Sequence, residues 1–178
     1  MFNFLKKTII IFWHQKGFSI LETIIVIGII AIGLVGVVSL VVQNIQVQYI
    51  NRDILIASQL AQEGLELARN IRDKNWLDIA NLPWTFQDIA EQNSIKIFII
   101  LSDQSTVDVI GIDDAQAKLL NNNGYYNYQS GSETIFRRII KTDNNYSASS
   151  TVVSCIVQWT EKGQTQQYIA DTILSDWR

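Results

Sequence analysis

Cysteine, histidine and proline are each represented once among the 178 residues. The lone cysteine, Cys155, excludes an intramolecular disulfide and a metal site built from several cysteines. His14 precedes the longest apolar run, so the chain after that run cannot assemble a Ser-His-Asp triad or a Cys-His dyad. No pair of carboxylates is marked for catalysis either. We therefore expect neither enzymatic activity nor a cofactor.

Positive charge is also scarce, because the formal net charge is −3. Outside the N-terminal segment the only basic doublet is Arg137 with Arg138, and neighbouring residues of a strand point to opposite faces. A nucleic-acid surface needs clustered lysine and arginine. The sequence therefore predicts no nucleic-acid partner.

What the chain does have is a long apolar run near its N-terminus. No formal charge occurs between Thr23 and Asn51, and residues 24–42 are almost wholly apolar, which is about the length that spans a bilayer core of roughly 30 Å. Lysines 6, 7 and 16 precede the run, and positively charged flanks stay in the cytoplasm. The sequence that follows offers no small-residue cleavage site. We expect one membrane crossing, with the N-terminus in the cytoplasm and residues from about 43 outside.

One carboxylate, Glu22, lies at the front edge of this run. An ionised side chain within a membrane segment costs about 2.5 to 3.5 kcal/mol, so a partner or a specific role is expected for it. On a helix, Glu22 lies one turn after Phe18. It can therefore approach an amine at position 18 of its own chain, or that of a neighbouring parallel helix.

The stretch Lys16-Gly17-Phe18-Ser19-Ile20-Leu21-Glu22 resembles the prepilin signature of type IV pilins and type II secretion pseudopilins. The resemblance implies that residues 1–17 are a leader, with Lys16 as a leader charge. It implies that a prepilin peptidase cuts between Gly17 and Phe18 and methylates the new amine of Phe18. Glu22 then falls where the family carries its assembly glutamate, which meets the amine of a neighbouring subunit. A chain beginning at Phe18 would use residues 18–42 as its transmembrane and assembly helix.

Two departures from the family pattern favour a minor subunit over a major one. The leader contains its own apolar patch, residues 9–13, where many family leaders are short and basic. The membrane helix lacks the proline that many major pilins carry, since the sole proline is Pro83.

An amphipathic pattern follows and predicts a helix over residues 43–75. Its apolar stripe has spacings of three and four and contains Ile50, Ile54, Ala57, Ala61, Leu65 and Ala68. Arg69 and Asp73 are spaced as an i,i+4 ion pair. The stripe is expected to pack on a sheet.

The remaining chain, to residue 178, predicts that sheet over about 94–174. The β-branched and aromatic content marks five strands, at residues 94–101, 106–112, 134–142, 149–161 and 165–174. Lys162-Gly163 reads as a hairpin turn between the last two. Alternation places Cys155 with Val153, Val157 and Trp159, which predicts a buried structural thiol. The predicted fold is α+β, a long helix on an antiparallel sheet, similar to the pilin fold.

Further predictions concern the residues of the domain (43–178) that lie outside the predicted long helix and the five strands. Residues 75–93 form a connection whose aromatics cap the core. Residues 113–120 are interpreted as a short helix and 121–132 as a loop. Tyr125, Tyr126 and Tyr128 either contact another subunit or lie against the sheet. Asp113 with Asp114, and Asp143 with Asn144, do not have EF-hand spacing, so no metal site is predicted.

These patterns predict a structural subunit of the cytoplasmic membrane that joins a type IV pilus or secretion pseudopilus, an extracellular or periplasmic filament. Its expected partners are the prepilin peptidase, other pilin or pseudopilin subunits, membrane lipid before assembly, and the assembly machinery. The alternative is an uncut, single-pass membrane-anchored module whose outer domain binds a ligand.

Overall fold

The computed structural model describes residues 17, 19–77, 95–147 and 150–175, and for residues 144–147 the backbone alone. One helix, α1 (Ile20–Leu77), precedes seven strands. The strands are β1 (Ile95–Ile100), β2 (Thr106–Asp108), β3 (Lys118–Asn122), β4 (Tyr125–Asn127), β5 (Ser132–Ser147), β6 (Ser150–Glu161) and β7 (Gln164–Ser175). A single 3₁₀ turn (Ala115–Ala117) lies before β3.

The chain divides into two compact units, one ending at Gln48 and the other beginning at Tyr49. The first contains the apolar part of α1, in which each residue from Ile20 to Gln48 is exposed. The second contains the rest of α1 and all seven strands.

The strands form one sheet in which every pairing is antiparallel, with β5 at its centre. One side of β5 pairs with β6, and the other pairs with both β1 and β3. β2 and β4 extend that second side, and β7 pairs with β6 along its whole length. Lys162 and Gly163 both have positive φ, 49° and 78°, as a two-residue hairpin turn of type I′ requires. The predicted α+β class and this turn are confirmed.

The main core lies between the amphipathic part of α1 and one face of the sheet. Its helical members include Ala57, Ala61, Leu65 and Ala68, as the stripe predicts. The sheet contributes alternate residues of β6, namely Val153, Cys155, Val157 and Trp159. This confirms the buried thiol. The first two residues of the predicted stripe lie outside this core, because Ile54 is 41% exposed and Ile50 is only partly buried.

Helix and sheet are in close contact at Gly64. A Cβ atom added there would lie 2.5 Å from the Sγ of Cys155, closer than two such atoms can stand. Glycine, usually unfavourable inside a helix, is therefore required at this contact.

A second, smaller core lies on the other face of the sheet. Ile99 and Ile139, which alternate with the residues that face α1, are covered there by Val109 and Ala117. The segment between β2 and β3 thus packs over the sheet, and this limits β2 to three residues rather than the predicted seven.

The prediction for residues 113–132 was wrong. The predicted helix is only the 3₁₀ turn, and the predicted loop contains the hairpin β3–β4. Asn123 and Gly124 form its turn, with φ of 51° and 92°. An Asn-Gly pair is a strong type I′ hairpin signal, and it outweighs the polar composition around it.

Two other local predictions have different outcomes. Arg69 forms an ion pair with Glu66 and donates to the Thr172 hydroxyl at 3.1 Å. Asp73 forms an ion pair with Arg72. The predicted ion pair between Arg69 and Asp73 was therefore wrong. Of the predicted connection 75–93, Trp76 is described and buried. Its other aromatics, Trp84 and Phe86, lie outside the described residues together with Pro83.

Candidate functional site

The start of α1 places the residues of the candidate processing and assembly site. Gly17 is exposed, and α1 begins at Ile20. The carbonyl of Ser19 accepts hydrogen bonds from the backbone N–H of Thr23 at 3.1 Å and from the Thr23 hydroxyl at 3.3 Å. Ser19 therefore occupies the N-cap position, where serine is favoured. The predicted leader with Lys16, and also Phe18, lie outside the described residues.

Glu22 lies in the first turn of α1 and is exposed. A carboxylate is favoured at this end of a helix because the unpaired N–H groups carry partial positive charge. Within the described part of the chain, no hydrogen bond or ion pair reaches its side chain. Any full counter-charge for Glu22 must come from residues outside the described ranges or from another molecule.

The surface beyond Glu22 is apolar and uncovered. α1 is the one helix among the described residues that is long and apolar enough to cross a membrane, and its most apolar window has a mean hydropathy of 3.1 with none of it buried. Burying one large aliphatic side chain yields about 1.5 to 3 kcal/mol. Two or three such side chains offset the membrane cost of Glu22, and the segment exposes many more.

The three tyrosines named as a subunit contact differ in their surroundings. Tyr125 is 79% exposed, whereas Tyr126 packs edge-on against Phe136, with ring centroids 6.2 Å apart. The Tyr128 hydroxyl donates to the carbonyl of Arg138 at 3.1 Å and accepts from its Nε at 3.0 Å. Burial raises the pKa of Tyr128. Two of the three are thus held within the chain, and Tyr125 alone has most of its surface available to a partner.

Arg138 is the buried charge that the sequence reasoning missed. Only 2% of it is exposed. Its Nη1 donates to the carbonyl of Leu60 at 3.1 Å and lies 3.2 Å from a carboxylate oxygen of Glu63. Burial lowers the pKa of Arg138, but the Tyr128 oxygen and the Glu63 carboxylate outweigh it and raise the pKa overall. Strand alternation with Phe136 and Ile140 was the available signal, because it directs this side chain toward the helix.

Cys155 lies beside Arg138 and has no access to solvent. Burial raises the pKa of its thiol to about 12, although the nearby arginine opposes the shift. A thiol is nucleophilic only as thiolate, so Cys155 is a packing residue.

The described residues contain no group of three or more His, Cys, Asp or Glu side chains that could hold a metal ion. Two depressions lie on the described surface. One of about 180 Å³ lies beside Glu63 and Tyr126, below the usual range of about 300 to 1,000 Å³ for small-molecule sites. The other, of about 520 Å³, falls within that range by volume, but it is lined by the single segment 110–114.

Comparison with known families identifies the N-terminal feature. Residues 14–38 match the family model described as the prokaryotic N-terminal methylation motif. The match covers Gly17, Phe18 and Glu22 together with the exposed apolar segment as far as Val38. No curated protein sequence and no solved structure matches the chain significantly.

The pilin-type family with this motif is structural rather than enzymatic, and the motif implies interaction with other pilin subunits and with the prepilin peptidase. The apolar helix that follows it fits a single-pass membrane anchor. The methylation motif and the helix packed on an antiparallel sheet support a relationship of the chain to the type IV pilin-like family.

Proposed function

We propose that the protein is a minor subunit of a type IV pilus or a secretion pseudopilus, processed at Gly17 and assembled through the first half of α1. The observation that carries this proposal is Glu22, a carboxylate with no partner among the described residues, at the start of an uncovered apolar helix. It lies inside the matched methylation motif.

In this proposal the chain is stored in the cytoplasmic membrane, with its N-terminus in the cytoplasm and its sheet outside. The peptidase hydrolyses the bond between Gly17 and Phe18, and the freed amine of Phe18 receives a methyl group. Released from the leader, the helix leaves lipid for the helices of other subunits.

Glu22 has a specific role in that transfer. Its carboxylate pairs with the protonated amine of Phe18 on a neighbouring subunit, which neutralises both charges away from water. A misplaced neighbour leaves both unpaired, and an unpaired buried charge costs several kcal/mol. The pair therefore favours one axial register over others.

The preference for a minor subunit rests on what the chain lacks. No proline interrupts its apolar helix, and one cysteine cannot form the disulfide that closes the C-terminal loop of many pilins. The partners in this proposal are the peptidase, other pilin or pseudopilin subunits and the assembly machinery, and its destination is an extracellular or periplasmic filament.

Mass spectrometry of the N-terminus tests the proposal directly, on protein recovered from membranes of its own host. We expect a chain that begins at methylated Phe18. The matched control is the same host without its prepilin peptidase, in which the chain should retain Met1 or its initiator-processed form. A leader that is retained while the peptidase is active would contradict the proposal and favour the uncut binding module.

A further inference from the structure

β7 forms a long edge of the sheet that no described strand covers. Its register with β6 runs without interruption from Glu161↔Gln164 to Ser150↔Ser175. Within residues 95–147 and 150–175, β7 pairs with β6 alone. The main-chain N–H and C=O groups on its other side have no strand to bond.

The opposite edge of the sheet differs from β7 in strand length and in regularity of pairing. There the outer strands, β2 and β4, have three residues each, and the pairing of β3 with β5 shifts register between Lys118 and Leu120. Short strands and irregular register are means by which proteins prevent edge-to-edge pairing. β7 has neither, and its sequence has no proline, no lysine or arginine and a single charge, Asp171.

The face of β7 turned away from α1 has a definite pattern. Ile169 and Ile173 are 51% and 56% exposed, and Asp171 is exposed between them. No hydrogen bond or ion pair reaches the Asp171 side chain from the residues that the structure describes.

An apolar row connects this pattern to the second core. Ile139 of that core is directly opposite Ile156, which is opposite Ile169. Exposure rises along the row from 4% at Ile139 to 51% at Ile169. The row thus ends where one further strand would continue it.

We propose that β7 is a strand-addition site for an extended segment of a partner protein, in which a lysine or arginine has an aliphatic residue two positions away on each side. Main-chain bonds along the open edge would supply affinity, and alternate side chains would supply selectivity. The cation lies opposite Asp171, and the aliphatic residues lie opposite Ile169 and Ile173. This contact goes beyond the proposed function, because it involves neither Glu22 nor the apolar half of α1.

The capped peptide Thr-Ile-Thr-Lys-Thr-Ile-Thr is a suitable probe, with the full-length chain in detergent micelles. Hydrogen–deuterium exchange should show slower exchange over residues 164–175 when the peptide is added. Cross-strand charge pairs contribute about 0.2 to 1 kcal/mol. Replacing the peptide's lysine by glutamate, which also adds repulsion, should therefore weaken binding by about two- to tenfold.

Charge reversal on the protein separates strand addition from general adhesion to the peptide. The wild-type chain should bind the lysine peptide more tightly than the glutamate peptide. D171K should reverse this preference, so that the glutamate peptide protects β7 better. The control D113K makes the same change in the segment between β2 and β3 and should leave the preference for the lysine peptide unchanged. Exchange in β5 and β6 reports whether each variant keeps its fold.

Three results would overturn the proposal. The first is that β7 shows no protection at about 1 mM peptide, which corresponds to the weakest affinity of interest, roughly −4 kcal/mol. The second is that the lysine and glutamate peptides protect β7 equally. The third is that the peptide protects only segments other than β7. Because the unassembled chain is used, none of these results depends on leader cleavage.

Discussion

The guanidinium of Arg138 donates to the carbonyl oxygen of Leu60 at 3.1 Å, joining a central strand to a residue inside α1. Main-chain carbonyls within a helix already accept their own i+4 N–H, so this bond uses the second lone pair of the oxygen. Glu63 and Tyr128 supply further oxygen partners to a charge that is almost completely buried. Helix and sheet are thereby held at one relative position.

Removal of that charge should destabilise the domain strongly. We expect R138A to lower the free energy of unfolding by about 3 kcal/mol or more, because a cavity forms and the buried Tyr128 hydroxyl loses the N–H that it accepts. Denaturant titration of the chain in micelles, followed by tryptophan fluorescence, measures the loss. R137A is the control, since its side chain bonds only surface carbonyls and should cost about 1 kcal/mol or less. Equal losses would contradict the role given to Arg138.

The contact at Gly64 predicts a rescue by a second substitution. G64A places a methyl group 2.5 Å from the Cys155 Sγ and should destabilise by about 1 to 3 kcal/mol. The Cβ of residue 155 would remain 3.5 Å away, so C155A should recover part of that loss. A double-mutant cycle reads the coupling. Additive losses would mean that the helix had moved away from the sulfur.

Alkaline pH should weaken the fold through Cys155. The raised pKa of the buried thiol, about 12, means that the folded chain binds this proton more tightly than the unfolded chain does. The corresponding stability is complete below about pH 8.5, the ordinary thiol pKa, and is lost as pH rises toward 12.

Denaturation midpoints measured between neutral pH and pH 11 test this linkage. The stability of C155A should fall less steeply with rising pH than that of the wild-type chain. The fall that remains includes a contribution from Tyr128, whose pKa is also raised. Below pH 8 a maleimide should label Cys155 only after denaturation. Rapid labelling of the folded chain would show that the thiol is accessible.

Loss of the Glu22 charge should impair assembly and leave membrane insertion intact. For E22A we expect normal amounts in the membrane and a large reduction in the sheared filament fraction, both measured by immunoblot in the host. E66A removes an exposed carboxylate farther along α1 and should assemble normally. Incorporation of E22A at the wild-type level would contradict the registration role.

Leader cleavage should depend on a small residue at position 17. G17V should leave the precursor uncut, because a β-branched side chain occupies space next to the scissile bond where glycine leaves it free. The control G28V lies within the apolar helix and should be processed. The two chain lengths are distinguished by mass. Normal processing of G17V would show that the cut lies elsewhere.

Periodicity predicted the elements whose burial is regular. The stripe through Ala57 and Leu65 and the alternation around Cys155 follow from one dominant core, and both were recovered. Ile54 was assigned to the same stripe but is exposed, because a pattern does not show where the sheet ends.

The elements that were missed depend on pairing or on single contacts. β3 and β4 are short and polar, and they exist because Asn123-Gly124 turns the chain and β5 offers an edge. Arg138 alternates correctly with its neighbours, but its partners on α1 are about 75 residues away in sequence. The sequence around position 138 does not identify these partners. The residues of the N-terminal motif are contiguous, and the motif could therefore be identified from the sequence.

With Cys155 free and buried, the fold contains no disulfide and does not depend on the redox environment. Many exported domains of this size depend on oxidative folding, and therefore on oxidants and disulfide exchange outside the cytoplasm. Here the close packing of helix and sheet is provided by Gly64 and the bonds of Arg138, which form equally well under reducing and oxidising conditions. The fold is therefore the same under either condition, and no disulfide has to form to complete it.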